Sequence, residues 1–425
     1  MSFFQNIHIL NSSENKKRYL ALDIGTDVVK ALVFRFDKKE QKGYVLGVGK
    51  KQQRPGDMLS GGIVNMEGVL ETSREALGEA LKSSKTKHID RAILGIAGEL
   101  VRGTTMTVHY ERSHPDTKIE ITELKEIMRQ VQIKAFERIQ NQLEWETDQK
   151  AFDIKLINAA VVNVRIDGYK VSNPIGYQGT NVSISIFNAY SPVIHLGALE
   201  TIANELGISS LSIVAEPYAV SRIFSSEDDR DFQAVFIDVG GGTTDVAVVR
   251  NGGLEGTKMY AIGGHSFTKH LAYEFQLSFE DAEDLKLFYA SGKKWEHKTI
   301  NPENVHNIIH EDVGIWLGGL ELSLSEFLKT DVLPKRILLC GGGVSIPEME
   351  EFLRKEEWKR GLFFSSDVEV TYLLPEHVVR MKDMTKKLTS SQDVTPLALA
   401  NLMIEMLLEE KMLSNILRRT AKNIS

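Results

Sequence analysis

Short apolar runs alternate with polar turns along the chain, and two of the runs are built alike. In "RYLALDIG", Arg18 to Gly25, an apolar strand ends on Asp23-Ile24-Gly25, and "VVKALVFRF" reads as the strand that returns beside it. "FIDVGGGTTDVAVV", Phe236 to Val249, repeats that order: strand, aspartate, apolar residue, glycine, short polar turn, strand. The second aspartate lies 215 residues after the first (238 minus 23), about half of the 425-residue chain. Two related halves facing one cleft, each lending it a carboxylate, are the expected architecture. A third run, "RILLCGGGVSIPEMEEFL", Arg336 to Leu353, predicts a strand, a glycine loop and a helix opened by Pro347.

Elsewhere the period changes to that of a helix. In "ITELKEIMRQVQIKAFERIQNQL", Leu124, Ile127, Met128, Val131 and Ala135 share one stripe, between the strand-like "TTMTVHY" and "FDIKLINAAVVNVRI". They predict a small α+β unit inserted in the first half. Polar stretches at Ser83 to Lys87, Ser113 to Lys118 and Ser225 to Arg230 predict surface loops or hinges. "TPLALANLMIEMLLEE" predicts the final core helix. Beyond it, "KMLSNILRRTAKNIS" sets Leu413, Ile416, Leu417, Thr420 and Ile424 on one stripe, with Lys411, Arg418, Arg419 and Lys422 basic and no acid after Glu410. That combination predicts an amphipathic anchor for an anionic membrane surface. "MSFFQNIHIL", with Phe3, Phe4, Ile7 and Leu10 at helical spacing ahead of Lys16-Lys17-Arg18, is a second candidate anchor.

Composition narrows the class. With 42% hydrophobic and 26% charged residues, the chain has the apolar content for two or more packed domains. A net charge of −7 gives no global basis for binding nucleic acid, and none is expected as a partner. The single cysteine, Cys340, excludes an intramolecular disulfide and fits a reducing compartment. No apolar run has the length of a bilayer span, and the N-terminal charges follow the apolar residues, the reverse of a secretory signal. The expected location is cytoplasmic, peripheral on the inner face of the cell membrane.

The paired hairpins predict a phosphate site. Gly25, Gly240, Gly241 and Gly242 free the backbone for positive φ, which brings amides to phosphate oxygens, and Thr26, Thr243 and Thr244 add hydroxyl donors. The carboxylates of Asp23 and Asp238 beside a phosphate call for an intervening cation, for which Mg²⁺ with its retained waters is suited. A lone Asp-x-Gly makes a hairpin turn; two matched copies, one with a triple glycine, favour the ligand. Gly341, Gly342 and Gly343 bring backbone against a flat ligand or a phosphate near a helix start. Glu283 and Lys286, three apart, share a helix face and on their own read as a solvated surface pair.

Together these motifs resemble those of the actin-like ATPases, which include actin, DnaK-type chaperones and sugar kinases. The resemblance implies an α/β actin-like fold, two related halves around a nucleotide cleft, with the α+β insert in the first half. It implies ATP and Mg²⁺ as ligands. Asp23 to Thr26 and Asp238 to Thr243 become phosphate loops, Lys30 a phosphate contact, and Gly341 to Gly343 the adenosine loop. Glu283 and Lys286 would meet ribose and adenine, and Asp23 and Asp238 would hold the ion largely through waters. Glu216, in "VAEPYAVS", stands where the family places a Glu or Gln near the attacking water, and is the candidate to orient it. An acid just before Pro217 also suits a helix start by itself. At most slow hydrolysis is expected.

The segments around the motifs resemble the bacterial cell-division family FtsA from about residue 19 to residue 408. They are "LGVGKKQQRPGDMLSGGIVNMEGVLETSREALGEAL", in which a Gly-x-Gly strand end leads to a short strand and a long helix, "AILGIAGELVRG" and "RIDGYKVSNPIGYQGTNVSISIFNAY". This implies a protein that self-associates into filaments and links a tubulin-like FtsZ partner to the membrane. The expected organisation is an N-terminal extension (1–17), the first half (18–87 and 179–228) interrupted by the insert (88–178), and the second half (229–262 and 313–394) with an outer subdomain (263–312) that receives FtsZ. The final helix (395–410) returns to the first half, ahead of the candidate anchor (411–425). A type IV pilus assembly adaptor of the same fold is the alternative; that family usually stops soon after the final core helix. A sugar kinase would need an acceptor pocket with a base aspartate, and a DnaK-type chaperone a peptide-binding domain; no segment supplies either.

Overall fold

The structure is a computed structural model that describes residues 17–97, 101–147, 153–171, 173–224, 231–295, 299–329, 332–355 and 357–408. Both candidate anchors lie outside the described residues, Leu413, Ile416, Leu417, Arg418, Arg419 and Lys422 included, as does the stretch 225–230.

The first half starts as an antiparallel meander of β1 (Tyr19–Ile24), β2 (Val28–Asp37) and β3 (Lys42–Gln52). A hairpin of two short strands, β4 (Met58–Leu59) and β5 (Gly62–Ile63), leads to helix α1 (Met66–Ser84), whose first turn is capped by the Asn65 side chain accepting from the Gly68 amide. β6 (Arg91–Ile96) then returns parallel to β1. After it come β7 (Arg102–Glu111), α2 (Ile121–Thr147), β8 (Ile154–Ile166), β9 (Tyr169–Lys170), β10 (Asn181–Pro192), α3 (Val193–Glu205), β11 (Ser210–Ala215) and α4 (Glu216–Ser221). The second half repeats the opening meander with β12 (Ala234–Val239), β13 (Thr244–Arg250) and β14 (Gly253–Tyr260). It continues through α5 (Gly264–Phe275), α6 (Phe279–Ala290), α7 (Pro302–Ser325), β15 (Arg336–Cys340), α8 (Pro347–Arg354), β16 (Glu369–Tyr372) and β17 (Met381–Asp383) to α9 (Val394–Leu408).

Two sheets carry the halves. One runs β11-β6-β1-β2-β3-β17, the other β16-β15-β12-β13-β14-β7-β10-β8-β9. β1 and β12 are buried at every position, which is why they read as continuous apolar runs and not as alternating ones. α1 and α9 pack on the first sheet, while α5, α7 and α8 contribute to a separate core around β12, β13 and β15. In the insert, the predicted stripe of Leu124, Ile127, Met128, Val131 and Ala135 is buried throughout, between α2 and the strands β7, β8 and β10.

Several expectations shift. β6, placed in the insert by its position after residue 88, pairs with β1 in the first half's sheet, and β10, placed beyond the insert, lies between β7 and β8. Strand pairing, which local sequence does not encode, decides both. The insert's sheet is also continuous with that of the second half, through Gly256 opposite Thr104 and Thr257 opposite Gly103. Gly47 and Gly49 lie inside β3, not at its end. Ser83 and Ser84 complete the last turn of α1, with Lys85 at φ 53° as its left-handed cap.

Candidate functional site

Both hairpin turns come to the same place because each central strand ends there. Gly241 and Gly242 of the second turn approach Asp27 and Thr26 of the first so closely that a Cβ on Gly242 would stand 2.8 Å from Thr26 Oγ1, and one on Gly241 2.7 Å from Asp27 Cβ. None of Gly25, Gly240, Gly241 and Gly242 lies at positive φ, contrary to expectation. Room for the opposing turn is what excludes a side chain at Gly241 and Gly242. Of the site glycines only Gly341 is left-handed, at φ 93°, and its missing Cβ leaves space for Asp238 Oδ1 and the Val239 carbonyl.

Hydrogen bonds fix the second turn on α5. Gly240 N–H donates to the Thr243 carbonyl at 2.9 Å, and the carbonyls of Gly240 and Gly241 accept from the amides of Gly264 (2.9 Å) and His265 (2.7 Å). Thr26 Oγ1 accepts from the Gly61 amide at 3.1 Å. Across the cleft, the ring Nε2 of His265 lies 3.0 Å from Asp27 Oδ1. The Gly341 loop is held by Ser391, whose carbonyl accepts from the Gly341 amide and whose hydroxyl donates to the Gly341 carbonyl at 3.0 Å.

Beneath the turns lies a buried carboxylate cluster. Asp23 faces Lys30 in the β1–β2 register, and Lys30 Nζ donates to Asp23 Oδ2 at 3.2 Å. Lys30 therefore points into the site and not to solvent. Asp238 faces Asp245 in the β12–β13 register, and Asp238 Oδ2 accepts from the hydroxyl of Thr395 in the first turn of α9. Glu216, at the start of α4, lies against β6, where a Cβ on Gly95 would come within 2.5 Å of its Oε1. Burial, then the charges of Asp23, Asp245 and Asp238, push the Glu216 carboxyl well above the usual range, with Lys30 offsetting part. Burial raises Asp238 against the Thr395 hydrogen bond and the Lys30 charge, and with Asp238 and Asp23 it raises Asp245 well above its ordinary value. Burial also opposes the Lys30 charge, but Asp23 and Asp238 outweigh it and its pKa rises.

Glu283 and Lys286 are not a solvated pair. Lys286 is 6% exposed, and its ammonium donates to Glu283 Oε2 (2.7 Å), Thr268 Oγ1 (2.8 Å) and the Gly264 carbonyl (3.0 Å), joining α6 to the start of α5. A cavity of about 710 Å³ opens between the halves, walled by Thr26, Asp27, Gly242, His265, Phe279 and Glu283 among others. Its volume lies in the range of small-molecule sites. Of the predicted site residues, Thr26, Gly242 and Glu283 wall this cavity; the buried carboxylates, Lys30, Lys286 and the loop from Gly341 to Gly343, which adjoins Val239 and Gln392, are not among its lining residues.

Sequence reasoning missed Asp245, Thr395 and His265. Asp245 carried a signal, since it follows Asp238 by the same seven residues that separate Lys30 from Asp23. Thr395 and His265 carried none, because their roles depend on elements distant in the chain. Among the described residues, no three His, Cys, Asp or Glu side chains converge as direct metal ligands. Beside the Lys30 ammonium, the buried oxygens of Asp23 and Asp238, with Asp245 Oδ1 buried and unpartnered, nonetheless offer oxygen acceptors of the kind a hard cation takes through its waters.

Residues 235–388, from β12 to the segment before α9, match the family model for the cell division protein FtsA. FtsA of Neisseria meningitidis serogroup B is 26% identical over 365 residues, 80% of this chain and 82% of that one. FtsA of Bacillus subtilis is 23% identical over 351 residues, 78% of this chain and 75% of its own. Among solved structures, a chain of a PilM-PilN type IV pilus biogenesis complex superposes with a TM-score of 0.63 at 15% identity, over 91% of this chain and 98% of that one. That last likeness is one of fold.

Proposed function

We propose, from the premise that this chain is an FtsA-like cell-division protein of actin-like fold, that it binds ATP with Mg²⁺ in the cleft and links an FtsZ-like partner to the membrane. The observation that carries the nucleotide is the pair of hairpins, Asp23 with Lys30 and Asp238 with Asp245, whose turns line the 710 Å³ cavity at Thr26, Asp27 and Gly242. The phosphates lie along Gly25, Thr26 and the turn from Gly240 to Thr243, with Lys30 as their cation. The adenosine lies toward Glu283, Lys286 and the loop from Gly341 to Gly343. Asp23 and Asp238 would hold Mg²⁺, which would supply charge neutralisation on the phosphates. Glu216, beside the cluster on α4, orients the attacking water through its carboxyl. Turnover is slow.

The partner roles rest on the relatives. The outer subdomain from 263 to 312 receives the FtsZ-like protein, supported by Tyr273 and Leu287, which stand 79% and 50% exposed on it. The insert takes part in self-association into filaments, and the basic stretch 411–425 holds the assembly on anionic lipid. The pilus alternative has the fold likeness alone behind it.

Titration calorimetry tests the nucleotide. Mg²⁺-ATP binds the wild type, Asp238→Ala weakens it, and Gly241→Val removes it by filling the turn. A folded wild type that takes up no adenine nucleotide overturns the reading. Glu216→Ala lowers phosphate release without loss of binding; equal release by mutant and wild type removes Glu216 from the mechanism.

A further inference from the structure

The first half holds a second cavity, of about 380 Å³, whose wall includes Ile24, the residue after Asp23 in β1. Ile24, Ile63, Met66, Ile96, Ile194 and Leu199 are in its wall, and no Asp, Glu, Lys or Arg is. The single imidazole in that wall, His195, has its Nδ1 buried without a hydrogen-bond partner, and burial lowers its pKa, so the ring is neutral. Apolar side chains surround the mouth: Val64 is 65% exposed and Ile194 78%. An uncharged apolar pocket with one unmet polar atom calls for an uncharged, largely apolar occupant.

We infer that the pocket is the docking site of this chain's own segment Met1–Ser13. That segment contains no Asp, Glu, Lys or Arg, and it offers Phe3, Phe4, Ile7 and Leu10 at helical spacing. Gln5, Asn6 and His8 bring polar groups for the unmet His195 nitrogen. The other terminal segment fits less well, because Lys411, Arg418, Arg419 and Lys422 would enter a wall that has no acid. The tether is short enough. Residues 14–18 join the segment to β1, and Ile24 at the far end of β1 is already in the pocket wall. Six strand residues cover about 20 Å. A chain of some sixteen residues reaches on the order of 50 Å when extended, so it can turn back and still seat Phe3 or Phe4. Docking in cis then acts at an effective concentration of about a millimolar. The pocket also shares Gly95 with Glu216, which lies against that glycine's backbone. A docked segment braces the end of β6 on the face of Gly95 away from the carboxyl. None of this depends on which nucleotide the cleft takes.

Cross-linking in the full-length chain tests the docking, and the native thiol, Cys340, is buried and does not compete. Phe4→Cys paired with Ala198→Cys forms an intrachain disulfide under mild oxidation at least about tenfold faster than Leu417→Cys paired with Ala198→Cys. Amide exchange supplies a second reading. Protection of residues 197–201 falls in Phe3→Asp/Phe4→Asp and in a chain lacking 1–13, and returns when a synthetic Met1–Ser13 peptide is added to the latter. Circular dichroism confirms that each variant is folded. Equal cross-linking rates for the two pairs, an interchain product, or exchange at residues 197–201 that is unmoved by the folded variants overturns the inference.

Discussion

Lys30 and Asp245 occupy equivalent places in the two hairpins, each across the ladder from its aspartate, yet one is a cation and the other an acid. The cluster thus holds Asp23, Asp238, Asp245 and Glu216 around one lysine. Removing that lysine leaves buried carboxylates uncompensated. Lys30→Met should lower stability by about 3 kcal/mol near neutral pH, and the loss should shrink in acid as the carboxyls protonate; denaturant unfolding at both pH values measures this. The raised acids give a second sign. Glu216 and Asp245 keep protons in the folded state that the unfolded chain releases, so the stability they contribute is present below the ordinary carboxylate range and is lost as pH rises through their raised values. Asp245→Asn should flatten that decline as pH rises above the ordinary carboxylate range; an unchanged slope would place the proton elsewhere. The aspartates and glycines of this site were legible because two motifs matched. Asp245 was legible only by offset, and Thr395, 157 residues from Asp238, only after folding.

At the scale of elements, β3 shows what periodicity conceals. Its register against β2 slips between Val45 and Gly47, which exchanges the faces that later residues present. Gly43 therefore meets Ile404 of α9, while Gly47 and Gly49 lie under Ala80 and Ala76 of α1, where any Cβ would overlap helix backbone. A Gly-x-Gly pair read as a strand end is in fact a seat for a helix. Gly49→Val cannot be relieved by a rotamer change, and should cost about 3 kcal/mol or more in urea unfolding. A loss under about 1 kcal/mol would mean that α1 re-seats freely. Helix α2, by contrast, was legible in its buried stripe though not in its last four residues, since one apolar stripe against polar flanks is a signal that needs no tertiary context.

For the whole molecule, duplicated motifs revealed two halves, whereas the contact that fastens the insert to the second half left no trace in the sequence. Two ladder pairs and the hydrogen bond from the Thr105 hydroxyl to the Leu254 carbonyl contribute to it, too little for any periodic signature. The proposed assembly and membrane attachment belong to this scale as well. Deleting 411–425 should lower co-sedimentation with anionic liposomes severalfold and leave nucleotide binding intact; undiminished binding would eliminate that stretch as the anchor. Electron microscopy on a lipid surface with nucleotide should show filaments, and a strict monomer throughout would count against self-association. The unbroken sheet from β16 to β9 adds a mechanical consequence. The insert is chained to the first half at both its ends and stitched to the second through Gly103, Thr104 and Thr105. Any change in the angle between the halves must therefore reach it as torsion, with the 27-residue helix α2 as the lever arm. A neighbour gripping the insert would then feel, as a strain gauge does, how tightly a cleft some distance away has shut.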